Sequence, residues 1–281
     1  MNASALYMIL SSFLFAWMGV CVHLASPALP VSEVIFFRGL IGLILILPIL
    51  FIQKTSIWGT HRWKLMARGF FGFMALSLYF WSISRIPLAT AVMLNYTSPL
   101  FVACLAPLLL KEKFQWKIFI WILLGFIGVI LIVNPQPDTN HWGQIIGLIS
   151  GIFASLAYLS IGALKELESS LTIVFYFFIV ATVGILPIAI LEFKMPTPQE
   201  MIYLSGVGVS STVAQILMTK AYRMGTTATT SAYSSSIVLF SFILGIIFWN
   251  EWPPFSSFIG GIFIVLSVIW IAKLEKSSHE M

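Results

Sequence analysis

Arg38 is the side chain whose chemistry is hardest to explain as packing. It falls about seven residues into an apolar run over 31–52, roughly 10 Å from the end of that run at 1.5 Å per helical residue. A cation surrounded by apolar side chains is costly and faces a cavity or a partner. Two readings stand side by side. Arg38 binds a carboxylate or phosphate of a small solute, or it caps backbone carbonyls, pairs with Glu33 or snorkels outward. The five-residue spacing from Glu33 suits a pair on one helix face poorly.

A second polar constellation lies in the apolar run 87–110, where Asn95, Tyr96, Thr97 and Ser98 are followed by Pro99. Four consecutive polar residues cover every side of a helix. Some must bond to neighbouring helices while others face a cavity, because lipid offers no partners. Pro99 removes a backbone donor and is expected to kink the helix. The stretch Arg85–Lys113 reappears about 138 residues later as Arg223–Trp252. There Arg223 matches Arg85, Tyr233 falls beside the Tyr96 position, and Glu251 lies one residue out of step with Glu112. Thr226, Thr227, Thr229, Thr230, Ser231 and Ser234–Ser236 form a small-polar stripe that reads mainly as close helix packing. Trp17 maps onto Tyr158, and Ser77 onto Gln215, with Tyr79 two residues beyond Ser77. Aromatics on several helices give a pocket that stacks flat or amphiphilic groups; ordinary packing is the competing reading. The candidate solute-binding set is Trp17, Arg38, Ser77, Tyr79, Asn95, Tyr96, Tyr158, Gln215, Tyr233 and Ser234.

Other chemistries lack their residues. No Asp or Glu lies in the central third of any apolar run; Glu33, Glu112, Glu192 and Glu251 are all near ends. Proton-driven passage uses a buried carboxylate or histidine, so diffusion or exchange is the expectation. No Gly-Lys-Ser/Thr phosphate loop, His-Glu-x-x-His or Gly-x-Ser-x-Gly occurs. The reading is therefore no enzyme, no cofactor and no metal. His23 reads as structural, and His61, His141 and His279 lack ligand spacing. Cys21 and Cys104 sit in separate apolar runs and read as packing residues.

These residues are set in a chain that is 59% hydrophobic and 9% charged, with a mean hydropathy of +1.00. A soluble domain carries about 25% charge, so this is a membrane protein. The net charge of +5 lies in short loops and is not a nucleic-acid footprint. At about 20 residues per crossing, the chain divides into ten spans: 4–25, 31–52, 66–84, 87–110, 116–134, 143–164, 170–191, 198–220, 225–249 and 254–274. Turn signals at Ser26-Pro27, Pro135-Gln136-Pro137, Pro196-Thr197-Pro198 and Pro253-Pro254 separate them. The fold class is all-α: a polytopic membrane protein of ten transmembrane helices. Residues 1–138 form the first five-helix repeat and 139–281 the second, inverted because five is odd.

Twelve Lys and Arg residues, among them Lys54, Arg62, Lys64, Arg68, Lys111 and Arg223, gather on the side of the N-terminus, against Arg85 and Lys194 on the other. Both termini are therefore expected in the cytoplasm. Trp58 and Trp63 on one side, and Trp142, Trp249 and Trp252 on the other, fit interfacial belts.

The Phe36-Phe37-Arg38-Gly39 start of the second span, the Arg85–Lys113 block, the Gly125-Phe126-Ile127-Gly128-Val129 run and the duplication resemble the EamA-type branch of the drug/metabolite transporter superfamily, over essentially the whole chain. The second half departs from that pattern: Gly225 replaces Pro87 and Ser267 stands where Gly128 maps. The resemblance implies a bacterial inner-membrane carrier, monomeric or homodimeric, whose cavity is lined mainly by spans 1, 3, 4, 6, 8 and 9, with spans 5 and 10 peripheral. The expected substrate is an amino acid or a related amphiphilic or nucleoside-bearing metabolite, moved by alternating access. Export of toxic amphiphiles is the alternative; a membrane-embedded enzyme or scaffold is more remote.

Overall fold

A computed structural model describes residues 3–25, 28–83, 85–86, 91, 94–133, 141–249 and 255–279. The turns at Ser26-Pro27, Pro87, Pro135–Pro137 and Pro253-Pro254, the Glu251–Trp252 match and the Trp249 side chain lie outside what is described. The described residues contain no strand. They form α1 (Ala3–Ala25), α2 (Val31–Ile52), α3 (Arg62–Ile83), α4 (Ser98–Leu110), α5 (Trp116–Val133), α6 (His141–Leu164), α7 (Ser170–Leu191), α8 (Pro198–Met224), α9 (Thr227–Tyr233), α10 (Ser236–Trp249) and α11 (Phe255–His279). Among the described residues, six stretches are long and apolar enough to cross a membrane by length and composition: α1, α2, α6, α7, α8, and α9 with α10 taken together. Side chains such as Leu108, Ile190 and Leu191 are largely exposed, as lipid-facing residues would be once the protein is taken out of its bilayer.

Local chemistry sets the helix starts. Ser169 caps α7 by accepting from Thr172 N–H, and Thr197 with Glu200 forms a reciprocal capping box ahead of Pro198 in α8. The two halves pack by the same rules. α1 lies on α8 as α3 lies on α6, while α2 packs on α7 and α5 on α11. Ser4 Oγ donates to Ala221 O at 3.0 Å, and Ser82 Oγ to Gly143 O at 3.0 Å. Gly143 lies 139 positions after Ser4, and Ala221 lies 139 positions after Ser82. One contact is thus the other with the halves exchanged.

α2 and α7 run antiparallel. At one end, here called the Glu33 end, Ser32 donates to Glu192, and Glu33 Oε2 accepts from Lys194 N–H at 3.2 Å. At the other, the Thr60 end, Thr172 donates to Ser56 O at 2.8 Å and Tyr176 to Trp58 O at 2.9 Å. There too Glu168 Oε1 accepts from Thr60 N–H and Oγ1 at 2.7 Å and from His61 N–H at 2.6 Å. Burial alone would raise the Glu168 carboxyl, but the hydrogen bonds from His61 and Thr60 outweigh it and hold it below its ordinary value. α5 and α11 pack mainly on each other, and their crossing needs glycine. A Cβ on Gly128 would come within 2.6 Å of Gly260 O, a backbone atom that cannot swing aside. Trp121 stacks on Trp270 beside this crossing, 5.3 Å between centroids.

The fourth and ninth spans are broken. A turn at Tyr96–Thr97 precedes α4, with Thr97 Oγ1 donating to Leu94 O at 2.6 Å. Pro99 thus sits in the first turn of a new helix, and the break lies just before it. The ninth span, expected as one helix over 225–249, divides at Ser234–Ser235 without any proline. Ser234 Oγ donates to Ser231 O at 2.6 Å and Ser236 Oγ to Tyr233 O at 2.8 Å. Serine hydroxyls that bond back to the preceding turn compete with the helix ladder.

Candidate functional site

Arg38 is 8% exposed and its guanidinium carbon lies 5.5 Å from the centre of the Phe177 ring. Phe177 lies 139 positions after Arg38, so the arginine touches its own counterpart. Under a two-fold exchange such a residue lies on the axis, midway between the halves. None of the local readings of Arg38 applies among the described residues. It forms no ion pair with Glu33, whose carboxylate faces Lys194 instead, and Arg38 Nε has no acceptor.

A second arginine meets the same ring. Arg68, six residues into α3, is 2% exposed, with its guanidinium carbon 4.9 Å from the Phe177 centre. Its Nε and Nη1 have no acceptor. Arg68 is therefore not the loop cation that the charge asymmetry assumed. Without it eleven cations still face two, so the asymmetry persists. Gly72, one turn along α3, makes room for Arg68: a Cβ there would collide with Arg68 Nη1 and approach the Phe177 ring at 2.8 Å.

Tyr158 and Tyr222 complete this layer. Their rings stack at 5.4 Å and 19°, and both sense the charge on Arg68. Tyr222 is fully buried and its hydroxyl has no partner. Further along the same helices, Ser77 Oγ on α3 and Gln215 Nε2 on α8 are also buried without partners. At 1.5 Å per residue these lie about 13 Å from Arg68 along α3 and about 10 Å from Tyr222 along α8. Buried polar groups are normally satisfied by protein or water, and these atoms have no protein partner.

The sequence candidates divide. Arg38 and Tyr158 belong to this layer, Ser77 and Gln215 hold unpaired buried atoms further along α3 and α8, Tyr79 lies beside Phe80 at 5.7 Å, and Tyr96 packs against the cluster of Val129, Val238 and Ile264. The remainder are engaged elsewhere. Trp17, 38% exposed, sits edge-on to Phe248 at 5.6 Å. Asn95 Nδ2 donates to Ser150 Oγ at 3.0 Å. Tyr233 is buried in the main apolar cluster, and Ser234 bonds within its own turn. Sequence reasoning missed Arg68, Phe177 and Tyr222. The signal for Arg68 was its place inside the run 66–84. The expected lining also omitted spans 2 and 7, which supply Arg38 and Phe177. The described residues hold no group of three His, Cys, Asp or Glu that could bind a metal.

Known proteins share this architecture. The EamA-like transporter family model matches twice, at residues 2–134 and 141–273. The pseudopaline exporter of Pseudomonas aeruginosa is 31% identical over 278 residues, covering 98% of each chain. The S-adenosylmethionine uptake transporter of Rickettsia prowazekii is 28% identical over 250 residues, covering 88% of this chain and 84% of its own. One solved crystal structure covers 99% of both chains with a TM-score of 0.84 at 15% identity, a likeness of fold alone.

Proposed function

The chain belongs to the EamA-like transporter family, and from that premise we propose that it carries a small zwitterionic or amphiphilic metabolite, such as an amino acid or a nucleoside-bearing relative of one. Its ten spans form two inverted five-helix repeats, residues 1–138 and 139–281, in a bacterial inner membrane with both termini cytoplasmic. Inverted repeats hold solute near the midplane and rock about it. The antiparallel α2–α7 pair and the exchanged contacts of Ser4 and Ser82 support that geometry. The lysine and arginine asymmetry supports the orientation.

One observation carries the reading: a buried arginine against its own counterpart, with no carboxylate paired to it among the described residues. A desolvated cation–π contact returns about 2 kcal/mol, whereas stripping a buried cation of its partner costs about 3–5 kcal/mol. The Phe177 ring therefore does not balance Arg38, and a carboxylate of the solute would. The absence of acids from the span centres favours diffusion or exchange over proton coupling. Reconstituted into liposomes, the protein should move labelled solute unchanged. Arg38→Gln should cut that flux about tenfold, the loss of one charge-assisted hydrogen bond; unchanged flux would remove Arg38 from the site. A second reading, export of toxic amphiphiles, draws on the stacked Tyr158–Tyr222 pair and is tested by whether expression raises drug resistance.

A further inference from the structure

From the two arginines on one ring we infer that the transported solute carries two acid groups, one for Arg38 and one for Arg68. The inference rests on the transport reading above and narrows its substrate class.

Both guanidiniums are buried and both stand against Phe177, at 5.5 and 4.9 Å. Their like charges repel. Among the described residues no carboxylate pairs with either arginine. Glu33 accepts from Lys194 N–H, Glu112 from Thr227 N–H and Oγ1, and Glu168 from Thr60 and His61. The ion pair found among the described residues is His61 with Glu168, not an arginine pair. Three guanidinium nitrogens, Arg38 Nε with Arg68 Nε and Nη1, find no acceptor.

A solute with a single carboxylate neutralises one arginine and leaves the other bare. If that solute also brings an ammonium, the site is left with two uncompensated positive charges. A molecule with two acid groups, carboxylates or a carboxylate and a phosphate, neutralises both cations and offers acceptors to all three free donors. The Tyr222 hydroxyl, buried without a partner, supplies one further donor. Gly72 leaves room for the Arg68 head, which a Cβ there would crowd.

The test uses the full-length protein in liposomes incubated with a deproteinised small-molecule extract of bacterial cells, followed by mass spectrometry of what is trapped. The expected result is enrichment of solutes bearing two or more acid groups. Arg68→Gln should lower their accumulation about tenfold or more, with Arg68→Lys retaining more of it than Arg68→Gln. Enrichment of solutes with one acid group or none overturns the inference and leaves the transport reading standing. No enrichment over empty liposomes overturns both. The wild-type profile alone decides the class, whatever the stability of the variants.

Discussion

The two copies of the unit share a skeleton and differ at their centre. Their packing bonds recur at a shift of 139 positions, in the Ser4–Ala221 and Ser82–Gly143 pairs. At the same shift Arg68 corresponds to Val207, which is buried in an apolar cluster with Cys21, Leu29, Val34 and Leu204. Arg38 corresponds to Phe177, Gly72 to Ser211 and Tyr158 to Gly19, so Trp17 falls against Leu156 and not against Tyr158 as the sequence match expects. The first half supplies the cations, the second half the ring they stand on and the tyrosines beside them. On the transport reading proposed above, symmetry of the scaffold would let one end open as the other closes; the asymmetry sets Arg68 near the Thr60 end of α3, while Arg38 comes from α2 midway between the halves. A duplicated fold can thus keep its mechanics while each copy takes a separate chemical task.

Making the halves alike should therefore disable the protein without unfolding it. Arg68→Met removes the charge while keeping much of the volume. Uptake into liposomes should fall about a hundredfold, the worth of two charge-assisted hydrogen bonds at the low end of their range. The melting temperature of the solute-free protein should rise, because an unpaired buried cation is gone. A fall in melting temperature would make Arg68 a structural residue.

Gly72→Ala is the next largest. Its match, Ser211, already carries a Cβ and donates to Gly208 O at 3.1 Å. At Gly72 the same atom would push Arg68 Nη1 and the Phe177 ring aside. The half-saturating solute concentration should rise about tenfold, with a smaller change in maximal rate, as expected when binding geometry rather than rocking is disturbed.

The smallest effect compares the two ends. Glu168 ties the α2–α3 turn at the Thr60 end as Glu33 ties the α7–α8 turn at the other. Because its carboxyl is held below the ordinary value, its stabilisation is present above the unfolded-state value and lost as pH falls through the lowered one. Thermal unfolding against pH should show a destabilisation on the acid side that Glu168→Gln flattens, with the variant already less stable at neutral pH. A curve of unchanged shape would mean the clamp is idle.

The helical architecture was readable because apolar run length reports it directly, and Arg38 was readable because a cation stands out in the middle of such a run. Ser77 and Gln215, paired by the 138-residue sequence match, both prove to be orphans, although the 139-residue register of the contacts sets Ser77 against Ile216. Arg68 was hidden by its neighbours: with Arg62 and Lys64 just before it, local composition reads as a loop charge, and only packing against α7 shows it buried. Phe177 was indistinguishable from the aromatic run Phe175–Phe178, and Tyr222 lay beyond the expected end of its span, because α8 continues to Met224. The break at Ser234 left no proline to announce it; serine back-bonding is a weaker signal than a missing N–H.

The central claim is that the middle of this molecule is an anion-receiving passage, and it can be tested without knowing the solute. Place a cysteine at Ser77 in a chain whose Cys21 and Cys104 are alanine, and compare its reaction with an anionic and a cationic methanethiosulfonate, each normalised to an exposed thiol. The two arginines predict that the anionic reagent is favoured about tenfold, and that Arg38→Gln with Arg68→Gln abolishes the preference. A thiol that favours the cation, or one that neither reagent reaches from either side of the membrane, would contradict the account.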